Sequence, residues 1–267
     1  YPFINWRVLM RTLPYLTKLT IFGYGFTENG DLINIDDEPL IRMAYQFNVA
    51  PIMVLSSLTE EGTFSGIRAN YLFNNVNAQN ALIKKIINTM KYKGYLGIDI
   101  DFEYINQQDA QAYLDFLTNI TEQLKKEGFS VNVDLAPKIP STQRGLLYEA
   151  HNYPKIGKIA DTVLLMTYEW GYTYGPPMAV APIDQVKRVI DYAVSEIPTD
   201  KIHMGIPNYG YNWLLPYIQG VTQAASIGND FAATIAFNNR ADIKYDDTAQ
   251  APYFNYWDRQ RREHIVW

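Results

Sequence analysis

The sequence predicts an α/β protein built as a (β/α)8 TIM barrel, and three features of the chain support this. Short β-rich apolar runs alternate with helical patterns throughout, which is typical of repeated βα units around a parallel sheet. The run at 48–57 is almost entirely apolar, as expected for a strand covered on both faces. The runs recur about every 30 to 45 residues, the spacing typical of such barrels, and begin near residues 18, 48, 95, 129, 161 and 201.

Three helices are predicted between the strands of the first half, each with a recognisable end signal. Pro39 falls in the first turn of one helix, where its missing N–H costs no hydrogen bond, and Asn77 is a suitable cap for the next. Gly128 ends the third helix, and the stretch 58–77 is predicted to be a loop. The predicted strands are 18–26, 48–57, 95–104 and 129–136, and the predicted helices are 37–47, 77–92 and 107–127.

The second half continues this alternation and then departs from it. Residues 142–159 are interpreted as an irregular helix with a connector, and a Gly/Pro/Tyr loop occupies 171–177. Beyond Trp213, a helical stretch at 228–238 is followed by a hairpin across Asp246–Asp247, which fits an α+β insertion better than another βα unit. The remaining predicted elements are strand 161–168, helix 183–197, strand 201–209, and hairpin strands 242–245 and 253–257.

We therefore predict a single catalytic barrel domain over residues 1–267, with a small α+β insertion at about 214–262. Residues 1–4 are interpreted as the tail of a first strand, which makes seven strands. The final strand of the barrel is not recognisable before Trp267. Because a barrel that lacks a strand exposes an edge, we expect that the native polypeptide continues beyond that residue or that residues are missing from this chain.

Composition argues against several classes of protein. The net charge of −5 over 267 residues gives no electrostatic reason to expect nucleic acid or an anionic membrane as a partner. No apolar run approaches the roughly 20 residues that span a bilayer, and the N-terminus has no charged region followed by an apolar stretch. If the native protein is exported, we expect its targeting segment to lie outside this chain. Cysteine is absent, so neither disulfides nor thiolate chemistry can be invoked. We expect a monomer.

The aromatic content is more informative. Tyr 21, Phe 12 and Trp 5 together make up 14% of the chain. Such rings suit surfaces that stack on sugars, although a Tyr-rich core with satisfied hydroxyls is the commoner explanation. The three histidines, His151, His203 and His264, are scattered without metal-ligand spacing, and we interpret them as structural.

The octet 97–104 alternates acidic and apolar residues. Side chains two apart on a strand share a face, so Asp99, Asp101 and Glu103 line one face of a predicted strand. Crowded carboxylates resist ionising together, so at least one is expected to hold a proton near neutral pH, as a general acid requires. The alternatives, a solvated edge strand or a cation site, are not excluded by the octet alone.

The spacing of these acids restricts the chemistry. Most retaining glycosidases place two carboxylates about 5 Å apart on opposite faces of the sugar. Asp101 and Glu103 are roughly 6 to 7 Å apart along one strand, and they approach a substrate from the same side. This arrangement suits one proton donor and one orienting neighbour. A 2-acetamido sugar can then provide its own nucleophile, the carbonyl oxygen of its N-acetyl group.

Several motifs carry a resemblance to a known family. Gly97-x-Asp99-x-Asp101-x-Glu103 resembles the fourth-strand signature of glycoside hydrolase family 18, the chitinases and related N-acetylglucosaminidases. The stretches 166–171, 174–182 and 205–213 are similar to the spore-cortex and spore-germination branch of that family, and most similar to sporulation-specific glycosylases of Bacillus. The resemblance runs from about residue 1 to 267.

The resemblance implies a role for each matching residue. Glu103 matches the general acid, which protonates the glycosidic oxygen and later activates water. Asp101 matches the residue that holds the acetamido N–H and stabilises the oxazolinium, and Asp99 matches its buried partner. Tyr168 matches the tyrosine whose hydroxyl binds the acetamido carbonyl, although a core tyrosine is the alternative.

Other residues at or just past predicted strand ends are candidates for a sugar cleft, with packing of a loop as the alternative. Glu169 stands where many family members have Asp or Asn, and Leu96 where the signature often begins with Asp. No residue is matched with the tryptophan that ends the eighth strand of the family, and Trp267 is not assigned that role. The substrate-binding candidates are Phe22, Tyr24, Glu169, Trp170, Asn208, Tyr209, Tyr211 and Trp213.

The resemblance implies a retaining glycosidase that cleaves β-1,4 linkages of N-acetylglucosamine-containing glycans, most closely spore-cortex peptidoglycan, without metal or cofactor. It also implies a spore-associated, cell-wall or extracellular location. Two alternatives remain: a chitinase acting on chitin, and a glycan-binding relative without activity. The intact Glu103 argues against the latter, because non-catalytic relatives commonly replace that residue. Endo or exo action and any cell-wall-binding modules outside the chain stay open.

Overall fold

The computed structural model describes residues 4–267, and the chain divides into two compact units. Unit 1 contains the chain up to Leu165 together with Val194–His203, and unit 2 contains Met166–Ala193 and Met204–Trp267. The strand tail predicted at residues 1–4 lies, except for Ile4, outside the described residues. Among the described helices, none combines the length and apolarity that a bilayer crossing needs.

The described residues form twelve strands, eight α-helices and three short 3₁₀ helices. The strands are β1 Lys18–Phe26, β2 Leu32–Ile33, β3 Ala50–Ser56, β4 Gly97–Asp101, β5 Ser130–Leu135, β6 Thr162–Leu165, β7 Ile202–Met204, β8 Tyr209–Leu214, β9 Ala225–Gly228, β10 Lys244–Asp246, β11 Ala251–Trp257 and β12 Glu263–Val266. The helices are α1 Trp6–Thr12, α2 Glu38–Gln46, α3 Gly66–Phe73, α4 Val76–Lys93, α5 Ala110–Lys126, α6 Tyr153–Ile159, α7 Ile183–Glu196 and α8 Asn229–Asn238. The 3₁₀ helices are Leu13–Tyr15, Gln107–Asp109 and Thr199–Lys201.

Unit 1 is built on a seven-stranded sheet in the order β2-β1-β3-β4-β5-β6-β7. The four pairs from β1 through β6 along this order are parallel, whereas β2 adds to the edge of β1 in antiparallel fashion. Strands therefore occur at all six predicted positions, and the predicted α/β class with a parallel sheet is confirmed.

The long helices of unit 1 bury apolar stripes, which explains why the sequence forms them there. Five apolar side chains of α4 and six of α5 are buried, and each of the large ones contributes about 1.5 to 3 kcal/mol. The cap of α4 is Asn75, two residues before the predicted Asn77, because the Asn75 side chain accepts from the Ala78 N–H. Gly94 ends α4 at a φ of +84°, a conformation that favours glycine.

Two predictions about individual elements are wrong. The stretch 58–77 is not only a loop, because α3 forms there, capped by the Ser65 hydroxyl that accepts from the Arg68 N–H. The strand predicted over 201–209 is divided into β7 and β8, and β8 belongs to a second sheet. Pro207 lies in the break, where its missing N–H prevents a continuous ladder.

Unit 2 contains that second sheet, with five strands in the order β10-β11-β12-β8-β9 and antiparallel pairing throughout. Helix α8 and the β10/β11 hairpin confirm the elements predicted around 228–257. Asp246 makes the turn of this hairpin, since its carboxylate accepts from the Thr248 and Ala249 N–H groups. The sheet also includes β8, β9 and β12, which were not predicted. The assignment of a single domain stays a prediction.

Candidate active site

The predicted acids lie at the end of the central strand β4. Asp99 and Asp101 are inside the strand and each is only 7% exposed, whereas Glu103 lies two residues past its last residue and is half-buried. Barrel enzymes build their sites at the carboxyl ends of parallel strands. The burial agrees with an order from deep Asp99 to accessible Glu103.

The apolar side of β4 explains why the acids face the other way. Phe102 is fully buried and stacks on Phe116 and Tyr113 of α5, at ring-centre distances of 5.7 and 6.1 Å. Phe26 and Phe73 lie 5.7 Å from the same ring. This aromatic cluster holds the Ile/Ile/Phe face of the octet against the helices, so alternation directs the acids to the opposite face.

The backbone around Glu103 is constrained on both sides. The buried His151 accepts from the Ala136 N–H at Nδ1, 2.8 Å away, so its Nε2 carries the hydrogen and donates to the Phe102 carbonyl at 3.1 Å. Burial lowers the pKa of His151 to about 4, so the ring is neutral at physiological pH. Tyr104, on the other side, has a φ of +55°, in the left-handed region that few non-glycine residues adopt.

Asp101 has an unusual electrostatic environment. Its Oδ2 accepts from the Ser56 hydroxyl at 3.3 Å, while its Oδ1 is buried and has no hydrogen-bond partner among the described residues. Burial and the neighbouring charge of Asp99 raise the pKa of Asp101 to about 6. Burial also raises the pKa of Asp99, whose Oδ1 accepts from Asn132 Nδ2 at 2.5 Å.

A fourth carboxyl group, Asp134, was missed at the sequence level. Asp134 lies on β5, is 8% exposed, and accepts at Oδ1 from the Asn132 Nδ2 that also donates to Asp99. The signal is present in the sequence, because Asn132 and Asp134 alternate with apolar residues as the acids of β4 do. Recognising it requires the register of the two strands, in which Asp99 lies opposite Asn132.

In unit 2, the structure brings together three of the predicted substrate-binding residues. The Glu169 carboxylate accepts from the Tyr209 hydroxyl at 2.5 Å and from the Tyr211 hydroxyl at 2.9 Å. Glu169 has a φ of +70°, so two hydrogen bonds hold a strained backbone position next to Tyr168. Burial, followed by the bond to Glu169, raises the pKa of Tyr211 to about 12. Tyr168 and Trp170 are half-buried and Asn208 is exposed.

Three predicted cleft residues are buried, Tyr24, Tyr211 and Trp213, and two of them are fully buried and not available to a sugar. Tyr24 is fully buried and donates to Asp37 at 2.5 Å, in a cluster where Lys93 donates to the same carboxylate at 2.6 Å. Trp213 is fully buried, and its indole N–H donates to the Gly175 carbonyl at 2.9 Å. We therefore remove both from the candidate cleft. Phe22, in contrast, is 46% exposed and remains a candidate.

The part of the chain that the structure describes contains no group of three or more His, Asp or Glu side chains placed to hold a metal ion. The buried acids instead bond to neutral donors, Ser56 for Asp101 and Asn132 for Asp99. What this arrangement can do chemically is share and transfer protons, because burial keeps the carboxyl groups of Asp99, Asp101 and Asp134 easier to protonate than in water.

Comparison with known proteins identifies the family. The family model described as Glycosyl hydrolases family 18 matches residues 3–267. The chain belongs to this family. The resemblance drawn from the β4 motif and from the later motifs is therefore confirmed, and so is the fold class. As a member of family 18, the chain falls in the glycosidase class of enzymes.

The similar proteins include several from Bacillus. The cortical fragment-lytic enzyme of Bacillus subtilis (strain 168) is 42% identical over 254 residues, which cover 95% of this chain and 59% of that protein. The putative sporulation-specific glycosylase YdhD of the same organism is 32% identical, over 95% of this chain and 60% of its own length. This chain thus spans about three fifths of the length of these relatives.

The chain is also similar to solved structures. The spore cortex-lytic enzyme SleL of Bacillus megaterium QM B1551 superposes with a TM-score of 0.92 at 39% identity, over 99% of this chain and 61% of that one. A chitinase from Chromobacterium violaceum ATCC 12472 reaches a TM-score of 0.90 at 22% identity, over 98% of this chain and 82% of that one. At that identity the likeness concerns the fold alone.

Proposed function

We propose that this family 18 chain hydrolyses β-1,4 linkages of N-acetylglucosamine-containing glycans, and that spore-cortex peptidoglycan is its substrate. The names of the similar cortex-lytic proteins support the choice of substrate. One observation carries the choice of chemistry: Asp101 is a buried acid whose Oδ1 lacks a partner among the described residues, two positions before the more accessible Glu103.

Glu103 is proposed to be the general acid and base. It protonates the glycosidic oxygen as the bond to the leaving sugar breaks, and it later takes a proton from the attacking water. Asp101 and Glu103 come from one strand end and approach the substrate from one side. The opposite side of the anomeric carbon is therefore left to the acetamido carbonyl of the substrate, which forms an oxazolinium and gives retention of configuration.

Asp101 is proposed to accept the acetamido N–H through its Oδ1 and to stabilise the positive charge of the oxazolinium. With a pKa of about 6, Asp101 exchanges its proton near neutral pH, so it can become the anion that this charge requires. Asp99 supplies the neighbouring negative charge. Tyr168 is proposed to bind the acetamido carbonyl, and Glu169 to fix the backbone beside it through Tyr209 and Tyr211.

Phe22, Trp170 and Asn208 complete the proposed set of sugar contacts. The reaction as proposed needs neither metal nor cofactor, because the proton donor, the charge and the nucleophile come from the chain and the substrate. We further propose that the protein acts as a monomer at the spore or cell wall, and that neither nucleic acid nor a membrane is its partner.

The test is the variant Glu103→Gln, which keeps the shape of the side chain and removes its proton. We expect turnover of purified spore cortex to fall by about 10²- to 10⁴-fold, with binding to the cortex largely kept. Mass spectrometry of the released fragments and a reducing-end assay measure turnover, and sedimentation with the cortex measures binding. The matched control is Glu122→Gln on the exposed side of α5, which should retain the wild-type rate.

Each other result has a definite meaning. Wild-type turnover by Glu103→Gln would exclude Glu103 as the general acid. Release of reducing ends from chito-oligosaccharides but not from cortex would replace the proposed substrate by chitin. Binding without release of any reducing end by the unsubstituted protein would identify a glycan-binding protein without activity.

A further inference from the structure

Asp134 is a buried acid beside the catalytic acids that the proposed reaction does not use. It projects from β5, next to β4, and the amide of Asn132 links it to Asp99. The Asn132 Nδ2 donates to Asp99 Oδ1 at 2.5 Å and to Asp134 Oδ1 at 3.2 Å. The orientation of this amide is set independently, because Asn132 Oδ1 accepts from the Thr162 hydroxyl at 2.8 Å.

The closeness of the two carboxyl groups favours a proton on one of them. Asp99 and Asp134 accept from the same amide nitrogen of Asn132, and both are almost fully buried. Two like charges held this close together and out of water repel strongly. We therefore expect the pair to hold at least one proton.

The surroundings decide which of the two acids holds it. Asp99 receives the shorter bond from Asn132, and it lines a cavity of about 300 Å³ that also contains the side chains of Lys18 and His203. The positive charge of Lys18, and of His203 when protonated, favours the anionic form of Asp99.

The groups that face Asp134 are acidic or neutral. They comprise the carboxyl groups of Asp99, Asp101 and Glu103, which act on it through their charge, and the buried phenol of Tyr113 on α5. The amide of Asn132 lies on its own strand. None of these carries a positive charge as Lys18 does near Asp99. The Asn132 amide favours a negative charge on either acid, but its bond to Asp134 is the longer of the two.

We propose that Asp134 is a positioning residue that stays protonated and donates its proton in a hydrogen bond to ionised Asp99. The consequence for catalysis rests on the function proposed above. Ionised Asp99 makes Asp101 easier to protonate, and Asp101 has the negative charge of Asp99 behind it as the oxazolinium forms. No covalent bond changes at Asp134, and its proton is not consumed.

Infrared spectroscopy tests the proton without substrate. The protein is studied at about pH 8, roughly two units above the pKa of Asp101, where that residue is ionised. We expect a carboxylic C=O stretching band from a protonated carboxyl group, and we expect Asp134→Asn to remove it. The control Asp115→Asn, at an exposed position of α5, should leave the band unchanged.

Two variants then separate positioning from packing. Asp134→Asn keeps a neutral donor of the same shape, so the pH profile of kcat/KM should match the wild type. Asp134→Leu keeps the volume but loses the donor to Asp99. The Asp99 and Asp101 pair then binds its first proton more readily. The acidic limb of the kcat/KM profile should therefore move to higher pH by about one unit, which corresponds to a roughly tenfold loss in kcat/KM near pH 5. Circular dichroism checks that both variants fold.

Three results would overturn the proposal. The absence of the infrared band at about pH 8, or a band that survives Asp134→Asn, would place no proton on Asp134. A downward shift of the acidic limb in Asp134→Asn would mean that a negative charge had been removed. An unshifted limb in folded Asp134→Leu would leave a purely structural role. A protein that has the band but cleaves no glycan would contradict the proposed function and not the protonation of Asp134.

Discussion

At the scale of single residues, the position of Glu103 depends on the peptide that precedes it. The carbonyl of Phe102 belongs to the same peptide plane as the N–H of Glu103, and His151 holds that carbonyl. The second bond of His151, from the Ala136 N–H, ties the ends of β4 and β5 together. His151 is therefore a candidate positioning residue for the acid.

Replacing this histidine should affect both stability and rate. In His151→Phe, the Ala136 N–H and the Phe102 carbonyl lose their partner in the core, and we expect a loss of about 2 to 5 kcal/mol in the free energy of unfolding at pH 7. Because the peptide before Glu103 is released, kcat should also fall, by about tenfold or more, with KM little changed. Urea unfolding and kinetics on cortex fragments measure the two effects.

A neighbouring residue provides the matched control for this prediction. The Tyr153 hydroxyl donates to the Ala136 carbonyl at 2.6 Å and accepts from the Lys138 N–H at 3.1 Å, at the same strand end. Tyr153→Phe should also lose about 2 to 5 kcal/mol, because two buried backbone groups lose their partner, but it should keep the wild-type kcat. If both variants reduced kcat equally, the link from His151 to Glu103 would have no special role.

The candidate site could be predicted in part because β4 carries its own signal. Alternation alone places Asp99, Asp101 and Glu103 on one face, whereas Asp134 joins them only through strand pairing, which linear spacing does not reveal. The misassignment of Tyr24 has a local cause. The register between β1 and β3 shifts between Ile21 and Tyr24, so the alternation of side chains changes near the end of β1.

At the scale of elements, one half-buried guanidinium organises the segment between β3 and α3. Arg68 on α3 donates through Nη1 to the Phe26 carbonyl at 2.8 Å and through Nη2 to the Glu60 carboxylate at 2.9 Å. Between β3 and α3, the chain folds back on itself through an antiparallel bridge that joins Leu58 and Phe64. A segment predicted to be a loop is thereby attached to the end of β1.

The variant Arg68→Met keeps the aliphatic stem and removes these bonds. We expect a loss of about 1 to 3 kcal/mol, since the Phe26 carbonyl loses a charged donor in a part-buried position, and faster hydrogen exchange at the Thr59 and Gly62 amides. The control is Arg42→Met, whose 3.8 Å ion pair with Glu38 is exposed and should contribute less than about 0.5 kcal/mol. Equal losses in both variants would contradict the role given to Arg68.

The elements that the sequence did not predict have no strong local pattern of their own. Long amphipathic helices such as α4 and α5 signal themselves through periodicity, whereas α3 has only eight residues and owes its start to the Ser65 cap. Strand β12 pairs with β8, some fifty residues earlier in the chain, and such distant pairing leaves no local pattern. Local signals thus predicted most of unit 1 and, in unit 2, only most of α7, helix α8 and the β10/β11 hairpin.

At the scale of the whole molecule, the two units contribute to different signals in an unfolding experiment. Four of the five tryptophans, Trp170, Trp213, Trp257 and Trp267, belong to unit 2, so intrinsic fluorescence follows mainly that unit. The buried titratable groups Asp99, Asp101, Asp134 and His151 all belong to unit 1. The dependence of stability on pH should therefore be followed through the amides of β4 and β5 by hydrogen exchange.

Asp101 and His151 should give this dependence opposite signs. Asp101 has a pKa raised from 3.8 to about 6 in the folded state, so the folded chain binds more protons than the unfolded one between these values. Its contribution is favourable below about pH 4 and is lost as the pH rises towards 6. His151 has a pKa lowered from 6.5 to about 4, so its contribution is favourable above about pH 6.5 and is lost as the pH falls.

Two variants should therefore diverge from the wild type in opposite directions across this range. As the pH rises from about 4 to 6, Asp101→Asn should gain up to about 3 kcal/mol relative to the wild type, because it no longer carries an acid that must ionise in the core. As the pH rises from about 4 to 6.5, the free energy of unfolding of His151→Phe should fall relative to the wild type by a similar amount. The reason is that the wild-type histidine then no longer needs to lose a proton on folding. The exposed control Asp115→Asn should follow the wild type throughout. If the stability of both core variants changed in the same direction relative to the wild type, Asp101 and His151 would not titrate as their burial implies.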